Sequence, residues 1–349
     1  MATMKCIVKA RREPGGLEFQ ERPIPKAGPG DVVIKQKAVA ICGTDLHIYN
    51  WDAWSQKRVP VPCVLGHEFA GEVVEVSPGG THVKVGDYVS GEGHLVCGTC
   101  QQCRTGMGHV CESWKGLGYD IDGACCEYLR FPAMNVWHND PAVSPAMCSI
   151  QDPLGNAVHT VFSQDCVAKK VAVFGLGPVG LLSVAVLKAI GAEQIFAIGQ
   201  KNRVRIDLAK QVGAHHAVGA EVGDPVKYIK DHTNGKGVDV ALEISGNPKA
   251  FKSALDAVKM AGHISVIGTS SSTYDVDFAK DIVFRGVNIH GITGRRIWDT
   301  WYKMKGLFNS GNLDVSKIIT HTLPFDQYEK GFQIMQSGNC GKVVLEFKA

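Results

Sequence analysis

The run Lys170-Val171-Ala172-Val173-Phe174, followed at once by Gly175-Leu176-Gly177-Pro178-Val179-Gly180, restricts the fold more than any other stretch. A short, continuous apolar run reads as a strand buried on both faces, and such strands belong to parallel sheets covered by helices. Helical sequence, Leu181–Ile190, comes next. A glycine pattern of this kind is weak alone. Between a strand and a helix, however, its glycines allow a tight turn and bring a helix N-terminus close to a pyrophosphate. A turn with no ligand is the plain alternative. Gln194–Ile198, Val238–Ile244, His263–Gly268 and Val287–Ile292 supply further short apolar strands. Residues 156–298 are therefore expected to form a doubly wound parallel sheet, a dinucleotide-binding domain.

The preceding part of the chain has a different texture. Asp31–Lys35, Gly71–Val76 and Gly86–Val89 are strand patterns, broken by turn signals at Pro14-Gly15-Gly16 and Pro78-Gly79-Gly80. A compact, mostly antiparallel β domain is expected over residues 1–155, completed by 299–349, whose last strand, Lys342–Phe347, should return to it.

Two groups of soft ligands lie in that domain. Cys42-Gly43-Thr44-Asp45-Leu46-His47 follows the strand-like Val39-Ala40-Ile41, and Gly66-His67-Glu68 comes later. Cys42, His67 and Glu68 make a three-ligand set that leaves zinc's fourth position open, as catalytic zinc requires. Cys97, Cys100 and Cys103 form two C-x-x-C steps, closed by Cys111. Four thiolates of this spacing suit a closed, structural zinc site; an iron–sulfur cluster is the other metal reading. Asp152, just before Pro153, reads either as a helix N-cap or as a carboxylate beside the metal. His94 is a candidate substrate-side group, with plain loop packing as the alternative.

Composition narrows the function classes. The 349 residues carry a net charge of +3, too mild to argue for nucleic acid or membrane binding. Around Cys97–Cys111 there is no basic and aromatic clustering, so a nucleic-acid-binding zinc module is not expected. No apolar leader follows Met1, and no run of about 18 apolar residues occurs. Twelve cysteines in such a chain favour a reducing compartment and metals over disulfides. The expected place is the cytoplasm.

One departure concerns the cofactor. The strand Gln194–Ile198 should end in an acid that holds the ribose 2′-hydroxyl of NAD. It ends instead in Gly199-Gln200-Lys201-Asn202-Arg203. A 2′-phosphate would meet no repulsion there and has Lys201, Arg203 or Arg205 within reach, which leaves room for NADP beside NAD. The alternative is that these cations form a solvated loop.

Taken together, Cys42, Gly66-His67-Glu68, the four-cysteine lobe and Gly175–Gly180 resemble, in order and over essentially the whole length, the zinc-dependent medium-chain alcohol dehydrogenase family. The resemblance implies a GroES-like catalytic domain joined to a Rossmann domain. Ile41–Trp51, Ser90–His94, Gly155–Thr160 and Gly294–Tyr302 resemble most closely the branch that oxidises the 3-hydroxyl of L-threonine with NAD. A polyol or 2,3-diol dehydrogenase on the same scaffold is the alternative. What the resemblance implies for the site is specific. Cys42, His67 and Glu68 hold catalytic zinc, and Cys97, Cys100, Cys103 and Cys111 hold structural zinc. Thr44 and His47 relay the proton with support from Asp152. Gly175, Gly177, Val179, Gly180, Arg205, Ile267, Gly268, Thr269, Ile292 and Thr293 line the dinucleotide, and the family's acid position falls on Gly199. It also implies a cytoplasmic homotetramer.

Overall fold

The computed structural model describes residues 2–79 and 82–348; Gly80, the end of the turn expected at Pro78-Gly79-Gly80, lies outside the described residues. The chain forms two compact units. The first holds the residues up to Asp152, Ile319–Gly338 and the tail from Lys342; the second holds Pro153–Ile318 and Asn339–Gly341. The return expected at residue 299 therefore comes only at Ile319. The helix Asp299–Asn309 belongs to the second unit, where Trp301 and Met304 are buried.

In the first unit the long strand Asp31–Ala40 organises the main sheet. Along one edge it pairs antiparallel with Glu68–Val76, in the register Ala40↔Glu68. Tyr128–Pro132 and Lys342–Glu346 also pair antiparallel with it. Ile319–Pro324 then adds to the tail strand in parallel. The residues of the long strand nearest the site, Ala38, Val39 and Ala40, are fully buried, and the ladder sets Val39 opposite Phe69 and Ala40 opposite Glu68. That fixed register carries Cys42, just past the end of one strand, to His67 and Glu68 at the start of its neighbour.

The second unit is a six-stranded, wholly parallel sheet. From one edge to the other its strands are His216–Val218, Gln194–Ile198, Lys170–Phe174, Val238–Glu243, Val258–Val266 and Asn288–Gly291. The chain winds outward from Lys170–Phe174 in one direction, then from Val238–Glu243 in the other. This creates a switch point at the carboxyl ends of these two strands, the place where α/β sheets bind ligands. The helix after the glycine run spans Pro178–Ala189, with Gly177 as its N-cap and Pro178 at its first turn.

Candidate active site and metal centres

Cys42 is the N-cap of the helix Gly43–Asn50, and its backbone N–H donates to Asp45 Oδ2 at 2.9 Å. The acid three residues on thus fixes the chain direction that presents the Cys42 sulfur. His67 is delivered by Gly66, which sits at φ +88°; a Cβ there would stand 2.4 Å from Cys125 Sγ. Glu68 follows, fully buried. The donor atoms of Cys42, His67 and Glu68 lie within 4.8 Å of one another. Burial opposes a charge on His67, yet the Cys42 sulfur beside it, with Asp45 and Asp152 further off, pushes it up to about 10. The field of the sulfur and carboxylates thus favours positive charge at His67. A thiolate, an imidazole and a carboxylate, converging with one position open, fit catalytic zinc.

A residue not singled out from the sequence completes this cluster. Lys342 is buried, and its Nζ lies 2.6 Å from Glu68 Oε1 and 2.5 Å from Oε2, while also donating to the Ile41 carbonyl at 3.0 Å. Burial works against the ammonium charge, but the Glu68 carboxylate and the Cys42 sulfur outweigh it and raise Lys342 above its ordinary value. The tail strand brings it there, since Ile41 N–H donates to the Val343 carbonyl.

The expected relay residues are placed as follows. Thr44 Oγ1 lies 3.8 Å from Cys42 Sγ. His47, one helical turn on and on the same face, is exposed, and its Nδ1 lies 2.6 Å from Asp52 Oδ2. Burial tends to raise the Asp52 carboxyl, but the Ser55 backbone N–H and the His47 ring outweigh it and hold Asp52 below its ordinary range. Asp152 is buried and adds to the negative field at His67. It is not a helix cap: the helix begins at Gln151, and Asp152 lies inside its first turn. His94 is mostly buried, its backbone N–H donating to Glu92 Oε1 at 2.9 Å and its ring edge-on to Trp114. Arg58, held by Asp120 through two 2.8 Å bonds, stacks over Trp114 and Tyr119, and Tyr119 in turn stands edge-on to His67. These groups make an aromatic, partly charged wall beside the metal ligands.

The second cluster is closed. Four thiolates about 2.3 Å from a shared zinc stand about 3.8 Å apart at the corners of a tetrahedron. Cys111 Sγ is 3.6 Å from Cys97 and 3.9 Å from Cys100, and Cys97 is 4.0 Å from Cys103. All are free thiols. Backbone N–H groups of Cys100, Cys97 and Ser113 donate to the sulfurs. The donation from Cys100 does most to hold Cys97 down to about 5, which favours the thiolate a metal needs. The separations fit zinc in a site with no place for substrate.

The switch point of the second unit opens into a cleft of about 680 Å³ lined by Gly175, Gly177, Gly199, Gln200, Asn202 and Arg205, among others. A Cβ on Gly177 would meet nothing within 4 Å, so a side chain there would fill the space a pyrophosphate needs. Gly180 instead packs its Cα against the Gly175 carbonyl. Val179, Ile267, Gly268, Thr269, Ile292 and Thr293 lie outside this lining. Ile267 to Thr269 follow the strand Val258–Val266, and Ile292 and Thr293 follow Asn288–Gly291, at the same edge of the sheet. At Gly199 a Cβ would lie 3.1 Å from Leu176 Cδ1 and 3.3 Å from Ile206 Cγ1. Gln200, the next residue, also lines the cleft.

Residues 28–141 match the alcohol dehydrogenase GroES-like domain, and residues 178–310 match the zinc-binding dehydrogenase family. The chain is 47% identical to the L-threonine 3-dehydrogenase of Bacillus licheniformis, with 98% of each chain covered. It is 48% identical to that of Caldanaerobacter subterraneus, again over 98% of each. The chain belongs to the zinc-dependent medium-chain alcohol dehydrogenases. Among solved structures, the 2R,3R-butanediol dehydrogenase of Bacillus subtilis is 29% identical, with a TM-score of 0.88 over 98% of this chain and 99% of that one. As a member of this family, the chain is an oxidoreductase with both expected layers, the GroES-like and the Rossmann-type. No helix among its described residues is long and apolar enough to cross a membrane.

Proposed function

We propose that this dehydrogenase oxidises the 3-hydroxyl of L-threonine to 2-amino-3-oxobutanoate, a step of threonine breakdown, and passes the hydride to NAD, with NADP accepted as well. The observation that carries the reading is that a complete Cys42–His67–Glu68 donor set is retained in a chain close to half identical, end to end, to curated L-threonine 3-dehydrogenases.

In this reading Cys42, His67 and Glu68 hold the catalytic zinc, and Cys97, Cys100, Cys103 and Cys111 hold the structural one. A zinc ion bound at the first set supplies Lewis acidity to the substrate hydroxyl. The chain's own residues do the rest. Thr44 can accept the hydroxyl proton and donate its own onward, and His47, exposed and backed by Asp52, passes it to solvent. Asp152 supports the relay through its charge. The glycine turn Gly175–Gly180 and the strand ends beyond it seat the dinucleotide, whose nicotinamide takes the hydride. Lys342 holds the Glu68 carboxylate in place. The aromatic wall of Trp114 and Tyr119, with His94 and Arg58, gives the site polar and π-faced groups suited to an amino acid rather than a plain alkyl alcohol.

We place the enzyme in the cytoplasm as a homotetramer, as the family resemblance implies. The edge strand Asn288–Gly291 supports self-association. All four of its residues are exposed, and Met260, Phe284 and Ile289 present apolar surface on or beside the last two strands.

The nearest rival is a diol or polyol dehydrogenase. A substrate panel separates the two: zinc-loaded enzyme should give the highest kcat/KM with L-threonine, and 2,3-butanediol and sorbitol should fall at least about tenfold behind, the scale of the net worth of one hydrogen bond. Faster turnover of butanediol or sorbitol would reassign the substrate.

A further inference from the structure

The adenosine end of the dinucleotide cleft is chemically unlike one built only for NAD. We infer that it accepts a 2′-phosphorylated ribose, with Arg205 as the residue that grips the phosphate, so that the enzyme binds NADP more tightly than NAD. This rests on the reading of the second unit as a dinucleotide-binding domain.

The first ground is what the strand Gln194–Ile198 lacks. An acid at its end would bond the 2′-hydroxyl and repel a 2′-phosphate; Gly199 does neither, and Gln200, though its amide can bond a hydroxyl, carries no charge to repel a phosphate. Among the described residues lining the cleft there is no Asp or Glu, while Arg205 and Lys249 are both present. A phosphate entering there meets cations and neutral groups.

The second ground is how the nearby charges are disposed. Lys201 is exposed and absent from the lining. Arg203 turns to Asp207 on its own helix, 3.3 Å away. Only Arg205 of the three reaches the cleft. Its Nε donates to the Cys340 carbonyl at 3.0 Å, which anchors the side chain and leaves the guanidinium's outer N–H groups for a ligand. An arginine fixed in this way matches a phosphate with little further loss of freedom.

The nearby acids do not cancel this. Glu243, fully buried, is taken up by its own loop, accepting from Ser245 N at 2.9 Å and Gly246 N at 3.2 Å. Glu221, beside the rim, accepts from Gly219 N at 2.8 Å and lies in the field of Arg203 and Lys210.

The test is calorimetric titration of the full-length protein with 2′,5′-ADP and with 5′-ADP. The wild type should bind 2′,5′-ADP about tenfold tighter or more, the scale of a charge-assisted hydrogen bond. Arg205→Met should close that gap, and Arg205→Lys should restore part of it. Gln200→Glu should reverse the order by placing a carboxylate where the phosphate would sit. Equal or tighter binding of 5′-ADP to the wild type would overturn the inference, as would a gap that survives in Arg205→Met. Should that variant fail to fold after losing its bond to Cys340, Gln200→Glu decides the matter: an unchanged order overturns the inference. If neither nucleotide binds, the dinucleotide reading itself falls and takes this one with it.

Discussion

Cys42→Ser should yield a folded chain that binds about one zinc fewer and no longer turns over, whereas Cys100→Ser should disorder the cysteine lobe and damage folding or assembly. The asymmetry follows from the two geometries. At Cys42 the ligand set is open, and the surrounding strands are held by the register of Asp31–Ala40 with Glu68–Val76, which does not need a metal. Serine there removes the soft anionic ligand but keeps the helix cap, whose bond runs from the backbone to Asp45. The Cys97–Cys111 lobe has little else to hold it. Its only regular pieces are the four-residue helix Gln101–Arg104 and a single 3₁₀ turn. Nearly all its order must come from the metal, and a structural zinc typically contributes on the order of 10 kcal/mol to the segment that binds it. Circular dichroism, metal analysis and turnover on both variants check this. Two variants that stay equally folded and equally inactive would contradict the division of labour.

The second large effect lies at Lys342. Its ammonium and the Glu68 carboxylate form a pair with side chains 1% and 0% exposed. Removing one member of such a pair leaves the other charged and buried, which typically costs about 3–5 kcal/mol. Lys342→Met should therefore lower the unfolding free energy by an amount of that order, read from denaturant melts, and weaken zinc retention, because Glu68 loses the group that orients it. Glu68→Gln combined with Lys342→Met should recover part of the stability, since the orphaned charge is gone. A Lys342→Met variant as stable as the wild type would mean that the pair is not what holds Glu68.

What the sequence made legible, and what it did not, divides along a physical line. The glycine turn at Gly175–Gly180 and the cysteine spacing at Cys97–Cys111 are local: backbone freedom and ligand spacing are written in adjacent residues, so both could be read directly. Lys342 could not, because it meets Glu68 from 274 residues away, and a short, mostly buried tail strand gives no sign of which neighbour its first residue will find. Asp52 was passed over for a smaller reason. It reads as an ordinary cap of the helix Ala53–Arg58, which it also is, and its second bond to His47 depends on how two short helices meet. Asp152 before Pro153 allows two readings, a cap or a carboxylate beside the metal; the helix starts at Gln151, so the cap reading falls. Among Lys201, Arg203 and Arg205 the sequence offered three equivalent cations. Only the helix Arg203–Gln211 separates them, by turning Arg203 to Asp207 and Arg205 to the cleft.

In the proposed reaction a hydride leaves C3 of threonine for the nicotinamide. The most direct measurement uses L-threonine deuterated at C3, zinc-loaded enzyme and the oxidised dinucleotide, with mass spectrometry of the reduced product. Each reduced dinucleotide formed should carry one deuteron, with none released to water. Label appearing in the solvent, or no dinucleotide reduced while the protein holds its full zinc, would contradict it.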